Sequence, residues 1–225
     1  GRQRQMCIRD SVTSDTHGHK EILNRIVEEN RDAELFLHAG DSQISFSEIF
    51  PFKAVKGNCD IGSEYPTKMI INTPYGDLYM THGHQYFFIT NHVIKSKNCK
   101  IFIYGHTHKH ILKEIDGTYV CNPGSPILPR DKTKGTYLII KMDESKIDFE
   151  TKKTDFTLID QNGNKVSLSN YRGKKVVILY WAVWCPPCKE EVPIINELSE
   201  EYNDAIFLTI VSPTLGENSE YKTYQ

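Results

Sequence analysis

The chain reads as short apolar runs, most of which end in a polar cluster. Ile22, Leu23, Ile26 and Val27 recur at helical spacing, with Glu21, Glu28 and Glu29 outside them, which predicts an amphipathic helix. Residues 34–38 then read as a strand running into Ala39-Gly40-Asp41, and residues 53–56 as a second strand ending in Gly57-Asn58-Cys59-Asp60. Residues 68–71 and 78–81 flank Pro74-Tyr75-Gly76-Asp77, a hairpin signature, and the second of these strands ends in His82-Gly83-His84. A mixed helical segment to about Lys97 precedes Ile101-Phe102-Ile103-Tyr104, which ends in Gly105-His106-Thr107-His108. A hairpin turning at Asp116-Gly117 leads to Asn122-Pro123-Gly124-Ser125, and residues 136–141 predict a closing strand.

The first cluster, Ser14-Asp15-Thr16-His17-Gly18, fits this pattern less easily. A strand should deliver it, yet Arg9-Asp10-Ser11 interrupts the stretch where a buried parallel strand wants continuous Val, Ile or Leu. Residues 6–11 also resemble translated adapter sequence. Residues 1–11 are therefore set apart as a doubtful segment, and the first domain is expected over 12–153.

Past Lys152-Lys153 the pattern changes. Two apolar runs surround Gln161-Asn162-Gly163-Asn164, a hairpin turn signal. A strand over 174–181 runs into Trp184-Cys185-Pro186-Pro187-Cys188, a helix follows with Val192, Ile194, Ile195 and Leu198 on its apolar side, and 205–211 predicts another strand. A second domain is expected over 154–225.

Composition narrows the chemistry. The formal net charge of −2 is too balanced to argue for a nucleic-acid or membrane partner, and no apolar run is long enough to span a bilayer. No apolar region follows the basic N-terminus, so no secretory signal is read, and a cytoplasmic location is expected. All 9 histidines lie between His17 and His110, which favours one histidine-rich site in the first half. Of the 6 cysteines only Cys185 and Cys188 are closely spaced, unlike a disulfide framework. Carboxylate, imidazole and amide oxygen at successive strand ends suit divalent Mn, Fe, Zn or Ni, and ligand sites of open α/β sheets lie beyond the carboxyl ends of the strands.

Asp-x-His, Gly-Asp, Gly-Asn-x-Asp, His-Gly-His and Gly-His-x-His, in this order, resemble the calcineurin-like metallophosphoesterases over roughly residues 12–150. Cys59 and the short length are similar to the small YfcE-type phosphodiesterases. The resemblance implies a four-layer αββα sandwich with two divalent metal ions, manganese first, at its strand ends. One ion would take Asp15, His17 and His108; the other would take Asn58, His82 and His106, with Asp41 bridging. A bridging hydroxide would then attack the phosphorus of a small phosphoester. Asn58 counts as both ligand and catalytic residue, and His84 as a substrate contact or a supporting donor. His19, His38, His92 and His110 are expected only to pack or to sit on the surface. Many relatives carry a histidine at the Cys59 position; a thiol is a poorer general acid there, and Cys59 is expected to be an ordinary small residue.

Cys-x-x-Cys at a strand-to-helix junction resembles TlpA-like, redoxin-type thioredoxins over 155–225, helped by Trp184 and Pro193. That implies a partial thioredoxin-like domain, with Cys185 as nucleophile, Cys188 as resolving thiol, and a thiol or disulfide protein as partner. Pro213 comes too early to be the family's cis-proline loop, so weak or no independent redox activity is expected. Two alternatives stand beside a metal-dependent phosphodiesterase: a thiol–disulfide oxidoreductase with an incidental phosphoesterase half, and a non-catalytic binding module such as the retromer subunit of this fold.

Overall fold

The computed structural model describes residues 7–62, 64–132, 134–154, 157–160, 162–171, 173–182 and 185–212. The chain divides into two units, residues 1–154 and 155–225. In the first, β1 (Ile8–Thr13), α1 (Lys20–Glu29), β2 (Leu35–His38), β3 (Phe52–Ala54), β4 (Lys68–Thr73) and β5 (Gly76–Thr81) are followed by α2 (Asn91–Lys95) and β6 (Ile101–Ile103). Then come β7 (His110–Ile115), β8 (Thr118–Pro123), β9 (Gly135–Met142) and β10 (Ile147–Thr154). Two five-stranded sheets result, ordered β10-β9-β1-β2-β3 and β4-β5-β6-β8-β7.

The layering follows from alternation along the strands. Val12, Leu37, Leu138 and Ile140 of the first sheet share one buried cluster with Leu78, Met80, Ile101 and Ile103 of the second, so the two sheets pack face to face. Their neighbours point the other way. Tyr137 reaches α1, where its hydroxyl receives a hydrogen bond from Asn30 Nδ2. Tyr79, Phe102 and Tyr104 pack with Ile94 of α2. The order is thus helix, sheet, sheet, helix, and each fully buried aliphatic side chain contributes roughly 1.5–3 kcal/mol.

Three expectations change. The interrupted N-terminal stretch forms a strand after all: β1 is the middle strand of its sheet, parallel to β2 and antiparallel to β9. It does so with Asp10 Oδ1, Ser11 Oγ and Thr13 Oγ1 buried and without hydrogen-bond partners among the described residues. Backbone pairing on both edges holds the strand in place against that desolvation cost. Second, β10 was not read from the sequence; its alternation of Ile147 and Phe149 with charged residues is a half-exposed edge strand paired along all of β9. Third, the helical segment before residue 97 shortens to the five residues of α2, capped by Thr90 Oγ1 accepting from the Val93 N–H. Residues 1–6 of the doubtful segment lie outside the described residues.

In the second unit β11 (Thr157–Ile159) pairs with β12 (Lys165–Ser167), and a 3-10 turn (Leu168–Tyr171) follows. Then β13 (Lys175–Ala182) and β14 (Ala205–Ser212) pair in parallel, joined through α3 (Pro186–Glu201). Pro186 and Pro187 open α3, where a missing N–H costs nothing, and Cys185 at its N-cap is disulfide-bonded to Cys188, with Cα atoms 5.3 Å apart. Trp184 and Pro213, both singled out from the sequence, lie outside the described residues. No helix among the described residues is long and apolar enough to cross a membrane.

Candidate metal centre

Five strands end at one place. β1 delivers Asp15 and His17, β2 delivers Asp41, β3 leads to Asn58, β5 to His82 and β6 to His106 and His108. The turns that carry these side chains are held in the left-handed region, with φ of 54° at Asp15, 45° at His17, 56° at Asp41, 67° at His106 and 57° at His108. Such a conformation costs about 1 kcal/mol or more per non-glycine residue, so its concentration here marks a place where side-chain direction outranks backbone ease. Glycines complete the turns. A Cβ on Gly57 would collide with the Asp41 carboxylate and one on Gly105 with Ser14 Oγ.

The histidine rings are aimed by acceptors outside the cluster. His108 Nδ1 donates to Leu128 O at 2.9 Å, and His17 Nδ1 lies 2.8 Å from Gln43 Oε1. With both Nδ1 atoms so engaged, the two Nε2 lone pairs face each other across 3.3 Å. Asp15 Oδ1 stands 3.3 Å from His108 Nε2, buried and without a hydrogen-bond partner among the described residues. Next to it, His82 donates Nδ1–H to Ala39 O at 2.7 Å and turns Nε2 toward Asp41 Oδ2 at 3.2 Å and Asn58 Oδ1 at 3.2 Å. Two neutral acceptors face to face are repulsive unless something positive sits between them, and a divalent cation fits this donor set. Among the described residues, three overlapping groups have ligand atoms within 4.8 Å of one another: Asp15, His17 and His108; Asp15, Asp41 and His82; and His17, Asp41 and Cys59.

Burial pushes the Asp15 carboxyl up to about 7, against the opposing influence of His82. Burial would raise Asp41 too, but the His82 ring and the Cys59 N–H at 2.7 Å outweigh it and hold that carboxyl below the ordinary range. Burial lowers His17, and burial with Arg130 and His17 lowers His108 to about 4, so both rings are neutral and available as ligands at pH 7. His82 is raised despite burial, because Asp41 and Asp15 face it.

Not every candidate converges equally. His106 is exposed, its ring centroid 5.2 Å from that of His82, and its backbone N–H donates to Asp15 Oδ2 at 3.0 Å. His84 is exposed, 5.4 Å from His82 between ring centroids. Of the four histidines set aside, His92 is exposed, His110 contacts Thr151, and His19 is buried against Glu21. His38 is buried and ties Thr16 Oγ1 to the Gly40 N–H, so it braces two of the site's turns. Asp60 went unassigned from the sequence although it closes Gly57-Asn58-Cys59-Asp60. Its carboxylate accepts from the backbone N–H groups of Asp41, Gln43 and Gly57 at 2.7–2.8 Å, locking the β2 and β3 turns together. Ser125 Oγ donates to Asp15 O and Asn122 Nδ2 to Gly105 O, both at 2.8 Å, so residues 122–125 tie the β1 and β6 turns in place.

Residues 9–145 match the family model of the calcineurin-like phosphoesterase superfamily domain, more than half of the chain. The chain belongs to the calcineurin-like phosphoesterase superfamily. Residues 150–215 match the redoxin model, so a second, thioredoxin-like domain follows the metallophosphoesterase domain. The probable metallophosphoesterase YsnB of Bacillus subtilis is 26% identical over 163 residues, 69% of this chain and 92% of that protein. The thioredoxin-like protein YneN of the same organism is 42% identical over 66 residues, 29% of this chain but 39% of that protein, so the chain spans well under half of this redoxin relative. A solved structure, a conserved predicted phosphoesterase from Streptococcus pneumoniae, superposes with a TM-score of 0.61 at 23% identity over 72% of this chain and 98% of that one. At that identity it speaks for the αββα fold of the superfamily alone.

Proposed function

We propose that residues 12–153 form a metal-dependent phosphodiesterase acting on a small phosphoester, and that residues 154–225 form a thiol–disulfide redox domain with weak or no independent activity. One observation carries the first part: the Nε2 lone pairs of His17 and His108 converge at 3.3 Å with the buried Asp15 Oδ1, which has no hydrogen-bond partner among the described residues. Asp15, His17 and His108 would hold one divalent ion, and Asn58, His82 and His106 a second, with Asp41 between them. Manganese suits the oxygen donors, and Fe, Zn or Ni the imidazoles. Such ions supply Lewis acidity toward a phosphoryl oxygen and lower the pKa of a water.

The chain's own groups do the rest. Leu128 O, Gln43 Oε1 and Ala39 O fix which nitrogen of His108, His17 and His82 carries hydrogen, so each ring presents a lone pair inward. Asp60 holds the Asp41 backbone in place, while the His82 ring and the Cys59 N–H keep the Asp41 carboxylate ionised. His84, exposed beside His82, would contact the substrate or support a neighbouring group by hydrogen bonding. Asn58 presents its amide oxygen from the same rim.

In the redox domain, once a thiol reductant has opened the Cys185–Cys188 disulfide, Cys185 at the N-terminus of α3 would be the nucleophile, its thiolate favoured by the helix. Its thiolate would attack a partner disulfide, releasing one partner thiolate and forming a mixed disulfide. Cys188 would then attack the Cys185 sulfur of that mixed disulfide, closing the Cys185–Cys188 bond and displacing the second partner sulfur as its thiolate.

Metal analysis and phosphodiester hydrolysis on the intact chain and on Asp41→Asn test the first reading. Bound divalent metal and hydrolysis that falls with the substitution are expected; metal-free protein, or hydrolysis indifferent to Asp41→Asn, refutes it.

A further inference from the structure

Cys59 is half-buried and stands apart from the buried thiols of Cys99 and Cys121. Cys99 and Cys121 sit in the apolar clusters of the two sheets, where sulfur serves as a small hydrophobe. Cys59 has polar company instead. Its sulfur belongs with a His17 nitrogen and an Asp41 oxygen to a group whose ligand atoms all lie within 4.8 Å. Asn58 Nδ2 donates to the sulfur at 3.3 Å, and the Cys59 N–H donates to Asp41 Oδ1 at 2.7 Å. The Asn58 amide meets the sulfur as an acceptor and the backbone bond fixes Cys59 beside Asp41, while Asp15 Oδ1 in the adjoining group has no partner among the described residues. A space-filling thiol would need neither the amide donor nor the carboxylate neighbour.

Resting on the metal centre proposed above, we infer that Cys59 is a further ligand, and that its sulfur biases the centre toward zinc over manganese. Thiolate is soft and favours Zn²⁺, whereas carboxylate and carbonyl oxygens suit Mn²⁺. As the sulfur–metal bond forms, the S–H proton passes to solvent, so the bound group is the thiolate. One sulfur among oxygen and nitrogen donors thereby sets which ion fills the site reached by His17 and Asp41.

The test uses the full-length chain with the Cys185–Cys188 disulfide formed. Cobalt(II) titration should give a sulfur-to-metal charge-transfer band in the near ultraviolet, lost in Cys59→Ser and kept in Cys185→Ser/Cys188→Ser. Equilibrium dialysis should show zinc affinity falling about tenfold or more in Cys59→Ser, with manganese affinity changed less than about twofold. Zinc, but not manganese, should also slow iodoacetamide alkylation of Cys59 in the unmutated chain, a readout independent of how the variant folds. A band that survives Cys59→Ser or vanishes with the Cys185/Cys188 pair, equal loss of both affinities, or equal protection by both ions overturns the inference. Cobalt binding without a sulfur band overturns it alone; no binding of any divalent ion overturns the metal-centre reading with it.

Discussion

β1 and β6 hold the same position and the same task in the two sheets. Each is the third of five strands, each is flanked on both edges, and each ends in a D/H-x-H turn whose two ligand-type residues have positive φ. Their compositions differ sharply. Ile101, Phe102 and Ile103 are fully buried and apolar, whereas Asp10, Ser11 and Thr13 of β1 are buried and polar with partnerless oxygens among the described residues. Two strands of such different composition deliver turns of matching geometry. The turn is therefore set by backbone pairing and by the side chains that hold the loops, Ser125 at Asp15 and Asn122 at Gly105. Strand composition decides how stable the platform is.

If the two turns serve one site, Asp15→Ala and His108→Ala should cause losses of similar size in phosphodiester hydrolysis, each about a hundredfold or more. Steady-state rates that fall in one variant and hold in the other would separate the turns. Giving β6 the polarity of β1 is the next largest change. Ile103→Ser leaves a cavity and a buried hydroxyl, and is expected to cost about 3–5 kcal/mol, read from the urea midpoint. A loss below about 1 kcal/mol would mean that central strands tolerate polarity generally.

The converse change relieves β1. Asp10 faces the inter-sheet side with Val12 and lines a cavity of about 190 Å³ with Leu35 and Ile71. Burial raises its carboxyl from 3.8 to about 6, helped by Glu34 and opposed by the Leu35 N–H and Lys53. A folded-state pKa above the unfolded value means stability that is complete below pH 3.8 and lost as pH rises through about 6. Asp10→Asn should thus gain nothing at pH 3.5 and about 3 kcal/mol at pH 8 relative to the unmutated chain. Denaturation curves at the two pH values check this, and a gain equal at both would remove ionisation as the cause. Smallest of all, Ser125→Ala and Asn122→Ala should each cost about 1–2 kcal/mol of stability and weaken metal retention on dialysis, because each frees a buried carbonyl at one turn. An effect confined to one of them would break the symmetry between β1 and β6.

Much of this organisation is written locally. The apolar runs, the hairpins at 74–75 and 116–117 and the polar clusters after five strands are short-range patterns, and the same holds for the Cys-x-x-Cys helix start. β10 pairs with its neighbour β9 across a short turn, but its half-exposed, charge-rich pattern carries little apolar signal. β1 was harder to read because it is stabilised by partners distant in sequence, β2 and β9. Asp60 and His38 were not read as braces of the site for a similar reason. Their partners are the loop N–H groups of Asp41, Gln43 and Gly40 and the hydroxyl of Thr16, which no residue pattern exposes.

By itself the sequence determined which ligand chemistries are present and that they stand at strand ends, since residue type and a period of two are local properties. Tertiary structure decided how those groups face one another. The hydrogen on His108 is directed by a carbonyl twenty residues away, that on His82 by one forty-three residues away, and the orientation of His17 by Gln43. It also decided that Cys59 lies among imidazole and carboxylate rather than in a core. Ring orientation and burial depend on atoms brought together only by packing two sheets.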